Sequence, residues 1–265
     1  MDLGLNGRVY VLTGASAGLG FAAAACLVED GARVVISSRD AGRVEAAVAS
    51  LTGDAGQPRA TDDKNQPYAT GVVADLADPD APGRLVEAAR AAYGRFDGAL
   101  ISVGGPPRAT VGEATDDQWR AAFETIFIGS VRAARLFTDE LGAGGAVGFV
   151  LSSSVRVPLP GLSLSNGLRP GLAGVVKDLA NAVGPRGVRV FSLLPHRVLT
   201  DRNRELFAAT GDAAKALADA EASIPLRRLG EPAEFGRVAA FLLSPAASYL
   251  TGLAVPVDGG AIPTF

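Results

Sequence analysis

The sequence predicts an α/β protein: a single Rossmann-type, doubly wound parallel sheet of about seven strands with helices on both faces. Three observations point there. Strand-like and helix-like segments alternate along all 265 residues. The strands are continuous apolar runs, such as Val188-Arg189-Val190-Phe191-Ser192-Leu193-Leu194, which suits burial on both faces. Near the start, an apolar run leads into a glycine-rich turn and then an alanine-rich helix. Strands are expected near 8–13, 32–38, 68–74, 98–103, 146–152, 188–194 and 253–257. Helices are expected near 18–29, 40–51, 80–93, 116–141, 165–183, 201–221 and 232–243. The polar stretch Gly53 to Pro67, rich in Asp, Gly and Pro, is expected as an exposed loop before the third strand. No composition break divides the chain, so residues 1–265 are expected to form one domain.

The first unit runs Val9-Tyr10-Val11-Leu12, then Thr13-Gly14-Ala15-Ser16-Ala17-Gly18-Leu19-Gly20, then a helix to Glu29. Glycines let backbone N–H groups approach a phosphate, and the helix N-terminus behind them favours negative charge. Gly14, Ser16, Gly18, Leu19 and Gly20 are therefore candidate phosphate-binding residues. The second strand ends at Ser37-Ser38-Arg39. A carboxylate at this tip binds the bare 2′-hydroxyl of an adenosine ribose; Ser38 and Arg39 suit a 2′-phosphate instead. The expected cofactor is NADP(H) rather than NAD(H), against the plainer alternative that Arg39 is a solvated turn residue.

Bulk properties narrow the partners. Net charge is −3 with no long basic run, which argues against nucleic acid and anionic membranes. No apolar stretch reaches membrane-spanning length, and the first residues lack the regions of a signal peptide. Cys26 is the single cysteine, so no internal disulfide is possible, which fits a reducing cytoplasm. Set among alanines, Cys26 is expected to be a buried, inert thiol. No metal site is expected.

Over nearly its whole length the chain resembles the short-chain dehydrogenase/reductase superfamily. Thr13 to Gly20 resembles that family's TGxxxGxG turn, and Asp75-Leu76 resembles the pair that contacts adenine. Ile224-Pro225-Leu226-Arg227-Arg228-Leu229-Gly230-Glu231-Pro232, Tyr249-Leu250-Thr251-Gly252 and Val255-Pro256-Val257-Asp258-Gly259-Gly260 resemble its reductase-like members. Pro195-His196-Arg197-Val198-Leu199-Thr200 is similar to the PGxIxT loop, which implies cofactor contacts from Val198 and Thr200. The family's Asn-Asn-Ala-Gly stretch stands here as Ile101-Ser102-Val103-Gly104, placing Gly104 beside the cofactor.

The catalytic pattern departs from the family. Its reductases use Tyr-x-x-x-Lys; here Ser165 stands in the tyrosine's place and Arg169 in the lysine's, within Ser163-Leu164-Ser165-Asn166-Gly167-Leu168-Arg169. The substrate-orienting serine survives as Ser154. The helix asparagine appears as Ile126, which should interrupt the family's water relay. Phenol has a pKa of about 10; a serine hydroxyl is a far weaker acid that donates a hydrogen bond but makes a poor general acid. Arginine stays charged and does not relay protons by titrating. Hydride transfer still works if an oxyanion is stabilised and protonated by water. His196, the only histidine, occupies the glycine position of the PGxIxT-like loop; it is either a proton donor or an idle loop residue. Together with Gly104-Gly105-Pro106-Pro107, a stiff loop expected to form a pocket wall, the replacements resemble a variant subset of the family carrying Gly-Gly-Pro-Pro and Ser-Asn-x-x-Arg. Arg169 has its own alternative: Pro170 and Gly171 would loosen the first turn and turn it to solvent or to an acid.

The resemblance implies an NADPH-dependent reductase of a carbonyl or imine compound. A non-redox enzyme (dehydratase, isomerase or cyclase) and a non-catalytic nucleotide-binding protein are the rival readings. Substrate choice is expected in 155–164 and in 197–223, the second a mobile lid with Leu206, Phe207 and Leu217. The family resemblance implies a homo-oligomer, a dimer or tetramer, acting on a small molecule.

Overall fold

The structure is a computed structural model and describes residues 2–53, 66–208 and 210–264. Its sheet has seven parallel strands: β1 (Val9–Leu12), β2 (Arg33–Ser38), β3 (Ala69–Val73), β4 (Gly98–Ile101), β5 (Ala146–Val150), β6 (Arg189–Pro195) and β7 (Leu253–Val257). They lie in the order β3-β2-β1-β4-β5-β6-β7. The order reverses between β1 and β4, which opens a crevice beyond the carboxyl ends of those strands.

Burial on both faces explains the apolar strands. In β1, Val9 and Val11 join one core cluster, while Tyr10 and Leu12 join another. The first cluster is closed by α3 (Ala81–Tyr93), α5 (Gly129–Glu140) and α6 (Ser163–Val183). The second is closed by α1 (Gly18–Glu29), α2 (Ala41–Thr52) and α9 (Pro232–Leu243). α4 (Asp116–Ala122), α7 (Asp201–Ala208) and α8 (Ala213–Ala222) complete the helices used below. Among the described residues no helix is long and apolar enough to cross a membrane.

The expected elements stand, with three corrections. The helix expected over 116–141 is α4 and α5 joined by a π-helical stretch, Phe123–Ile128. Along this wider turn Ile126 reaches the core at 2% exposure, Phe127 packs against the same core cluster, and the exposed Phe123 stacks on Phe127, 5.1 Å between ring centres. The helix expected over 201–221 is two helices. Gly211 breaks it at φ +82°, a conformation that strains other residues, and the Asp212 side chain then caps α8 by accepting from the Lys215 N–H. Finally, α6 begins at Ser163 and passes through Pro170 without ending. Of the loop expected over Gly53 to Pro67, residues 54–65 lie outside the described residues.

A buried arginine ties the sheet to α9. Arg189 Nη1 donates to Leu242 O at 2.7 Å, and Nη2 donates to Leu243 O at 3.2 Å and Ser244 O at 2.8 Å. These carbonyls are the ones a helix C-terminus leaves unpaired. Replacing Arg189 with Met should therefore destabilise the protein by about 2–4 kcal/mol, read as a lower urea midpoint. Arg120, which pairs with the exposed Asp116 and Asp117, gives the comparison: Arg120→Met should shift stability by about 0.5 kcal/mol or less. Equal effects would refute the capping role of Arg189.

Candidate active site

The crevice is built first by a staple between its two central strands. Thr13 Oγ1 donates to Ser102 O at 2.9 Å and accepts from Ser102 N at 2.9 Å. This brings the turn after β1 against the loop after β4. Gly14, at φ +55°, sits so close that a Cβ there would stand 2.5 Å from Ser102 O. No side chain fits, and the backbone is left open toward the crevice. Behind it Ser16, Gly18, Leu19 and Gly20 follow into α1, whose N-cap Ala17 supplies no side-chain hydrogen bond and whose first turn holds no acid. The free N–H groups of this turn fit a phosphate. Thr200 lies across the turn, its Cγ2 3.7 Å from where a Gly18 Cβ would stand.

Arg39 stands at the tip of β2 with a side chain 77% exposed, its Nη1 4.0 Å from Asp75 Oδ2. A pair this exposed holds weakly, so the guanidinium is free to turn to a phosphate. Asp40, the neighbouring acid, is occupied: its Oδ1 accepts from the Arg43 N–H at 2.8 Å, capping α2. Ser38 Oγ donates to Asp40 O at 3.3 Å. Asp75 also accepts from Ala77 N at 3.0 Å, and Leu76 is buried beside it. This edge thus matches a dinucleotide with an added phosphate, on the chemistry of its donors.

The chemical groups gather past the end of β5. A short 3-10 turn, Ser153–Val155, presents Ser154, whose N–H donates to Ser152 Oγ at 3.1 Å. Ser154 Oγ and Ser165 Oγ lie 3.2 Å apart, both buried. Ser165 and Arg169 are one helical turn apart on the same face of α6. Arg169 is 6% exposed, and its Nη1 donates to Val150 O at 2.9 Å. The expected alternative, a solvent-facing or acid-paired Arg169, is therefore not what α6 provides. Among the described residues no carboxylate pairs with it. Burial, helped by the nearby Arg202 guanidinium, pushes its pKa down to about 10, so it stays charged at neutral pH.

The loops over this site are anchored by bonds that the sequence reading missed. Asn166 Oδ1 accepts from Leu159 N at 3.0 Å and its Nδ2 donates to Leu159 O at 2.9 Å, pinning segment 155–164 to α6. Ala109 N donates to Gly161 O at 3.0 Å and Ser163 N donates to Ala109 O at 3.1 Å, so the Gly104-Gly105-Pro106-Pro107 loop runs on into the same wall. Gly104 itself is exposed at the crevice. Val198 is buried and bridges to Gly230, and Asn203 Nδ2 donates to Val198 O at 2.6 Å. His196 Nδ1 lies 2.8 Å from Ser153 Oγ, one residue before Ser154. The run of three serines was the only available signal for that contact. Tyr10 is buried in the core, its hydroxyl donating to Leu243 O at 3.4 Å, and Tyr93 shares a hydrogen bond with Thr70, so neither joins the serine pair. A groove of about 730 Å³ between α8 and α9, lined by Leu217, Arg228 and Glu234 among others, includes none of the serine-site residues.

Comparison with known proteins agrees with this architecture. A family model described as enoyl-(acyl carrier protein) reductase matches residues 14–261. Human dehydrogenase/reductase SDR family member 4 is 33% identical, over 97% of this chain and 88% of that protein. L-Sorbose reductase from Gluconobacter frateurii, solved with NADPH and L-sorbose, superposes with a TM-score of 0.87 at 29% identity and covers 100% of both chains. The NADPH-bound short chain oxidoreductase from Pseudomonas aeruginosa PAO1, described as containing an atypical catalytic center, superposes with a TM-score of 0.86 at 30% identity, over 97% of this chain and 98% of that one. The chain belongs to the short-chain dehydrogenase/reductase family of oxidoreductases.

Burial, and then the Arg197 charge, hold the His196 pKa below its usual 6.5, while Asp258 opposes them. The folded chain thus binds this proton less tightly than the unfolded chain. Stability from the neutral imidazole is complete above pH 6.5 and is lost as pH falls through the folded pKa. Because the chain has a single histidine, NMR titration of its ring protons should give one midpoint, below 6.5. His196→Gln should flatten the acid limb of the stability curve. A midpoint at or above 6.5 would contradict the buried placement.

Proposed function

We propose that this protein is an NADPH-dependent reductase of carbonyl or imine compounds that works through a variant site without the usual tyrosine and lysine. The observation that carries this reading is the buried Ser154–Ser165 hydroxyl pair, 3.2 Å apart, one turn from the charged Arg169. The NADPH-bound relative described as having an atypical catalytic center supports it, as does the one bound to NADPH and L-sorbose.

In this reading Gly14, Ser16, Gly18, Leu19 and Gly20 hold the diphosphate. Ser38 and Arg39 clasp the 2′-phosphate, and Asp75 and Leu76 border the adenine. Gly104, Val198 and Thr200 border the nicotinamide half, and Arg169 holds its ribose. Bound NADPH supplies the hydride. The rest is the work of the chain's own residues. Ser154 and Ser165 donate hydrogen bonds to the substrate oxygen or nitrogen as it gains electron density. Arg169 adds a fixed positive charge in a water-poor place, where charge stabilisation is strong. None of these three is a good proton donor. His196 reaches the site through Ser153, but its low pKa leaves it mostly neutral at pH 7, and so a sparse donor. An imine or other already polarised substrate relaxes the need for a strong acid; a ketone draws on water or His196. The segment 197–223 acts as the lid. The single, buried Cys26 agrees with a cytoplasmic setting.

NADPH oxidation across a panel of ketones and cyclic imines tests the reading. Turnover is expected with cyclic imines ahead of simple ketones; no turnover above background with any compound would sink it. Ser154→Ala should lower kcat about 10²-fold with little change in NADPH affinity. Arg39→Ala should weaken NADPH binding at least about tenfold, from the loss of a charge-assisted contact, and leave NADH binding unchanged. Fluorescence titration of both cofactors reads this, and tighter NADH binding by the native chain would refute the role of Arg39.

A further inference from the structure

The turn that carries Ser153 and Ser154 leaves β5 just after Leu151 N donates to Leu193 O of β6, at 2.9 Å. It closes on itself through its backbone. Val155 N donates to Ser152 O at 3.0 Å, while Arg156 N and Val157 N donate to Ser153 O at 3.0 and 3.2 Å. These bonds set the shape of the turn. Two side chains then tie it to the walls on either side. Ser154 Oγ meets Ser165 on α6, and Ser153 Oγ meets His196 Nδ1, 2.8 Å away on the loop after β6. Ser153 is 2% exposed. A hydroxyl buried to this degree needs a partner, and losing it leaves an unsatisfied group in the interior.

His196 is itself anchored. Its backbone N–H donates to Val257 O at the end of β7, at 3.3 Å. The charged groups that bear on its ring are Arg197 and Asp258. Asp258 is occupied by the turn that follows it, accepting from Gly260 N at 3.0 Å and Ile262 N at 2.7 Å. Among the described residues the ring's hydrogen-bond partner is Ser153 alone. A neutral imidazole holds that hydroxyl in either tautomer, as acceptor or as donor. The chemistry of the site makes such anchoring count. Hydroxyls that give up no proton act only by pointing at the atom that gains charge, and those bonds weaken steeply with misalignment.

We propose that Ser153 and His196 form a positioning pair that holds Ser154 against Ser165, and that His196 acts through this bond rather than as the proton donor. This rests on the reductase reading above and narrows it. The hydride still comes from NADPH, and the oxygen of a ketone takes its proton from water.

The test follows reduction kinetics and NADPH binding in the native protein, His196→Leu, His196→Asn, Ser153→Ala and the double variant His196→Leu/Ser153→Ala. Leucine occupies the ring's space without a hydrogen bond. Asparagine puts an amide where Nδ1 stands, able to bond a hydroxyl as donor or acceptor. His196→Leu should lower kcat about tenfold or more, the scale of a misplaced catalytic group, with little change in NADPH affinity. His196→Asn should recover most of that loss and keep the native pH profile. Ser153→Ala should fall as His196→Leu does, and the double variant should be no worse than either, as for two partners of one interaction. It also carries the comparison if His196→Leu does not fold. A proton donor gives another pattern: His196→Asn as poor as His196→Leu, with a titration in kcat that disappears with the ring. That pattern would overturn the proposal, as would native kcat in both His196→Leu and Ser153→Ala. Crystal structures of the variants read the geometry without turnover. The Ser154–Ser165 separation should stay at 3.2 Å in His196→Asn and open in His196→Leu and Ser153→Ala. If no compound is reduced but the separations follow this order, the positioning pair stands and the reductase reading falls. If the separation is unchanged in every variant, the positioning pair falls.

Discussion

A guanidinium is buried at position 169; its Nη1 donates to the Val150 carbonyl, and among the described residues no carboxylate pairs with it. Removing such a charge from water costs several kcal/mol in real proteins unless partners compensate. The fold accepts this cost at the place where its loops converge. Lysine at this position would be a compact, mobile point charge; arginine is a flat, permanent one. In the variant site proposed above, this exchange removes an adjustable proton and leaves a fixed field. Ser165 completes the change, since a hydroxyl beside a fixed charge orients and stabilises but does not readily give up a proton.

The scaffold makes that field effective. The reversal of strand order between β1 and β4 opens the crevice, and the reciprocal bonds between Thr13 and Ser102 set its width. α6 carries Ser165, Asn166 and Arg169 in a single turn, and each does something different. Ser165 meets Ser154, Asn166 fixes the loop beside it, and Arg169 reaches the end of β5. On the far side, α7 lays Arg202 on the loop after β4. Two hydrogen bonds thereby tie α7 to the loop after β4.

Much of this was legible in the residues. Continuous apolar strands, the glycine turn and the tip residues Ser38 and Arg39 outline a dinucleotide crevice, because burial and phosphate geometry leave few alternatives. The replacements at Ser165, Arg169 and Ile126 were legible as departures from a family pattern. What was hidden depends on distance rather than type. Nothing in the spacing of Asn166 and Leu159, or of Arg202 and Gly105, says that they touch. The π-helical stretch was hidden too, because 116–141 reads as one amphipathic helix until Ile126 must reach the core. Gly211 lies inside the stretch 201–221, and its φ of +82° separates the two helices found there. Pro170 erred the other way: it marks an irregular start, yet α6 runs through it and buries Arg169.

The claim on which all else depends is that the buried positive charge and the hydroxyl pair face a phosphorylated dinucleotide. A crystal structure with NADPH bound addresses it most directly. The expected result has Arg39 on the 2′-phosphate, Arg169 on the nicotinamide ribose, and Ser154 and Ser165 opening onto the nicotinamide face. NADPH lodged elsewhere, or Arg169 turned away from it, would contradict the account.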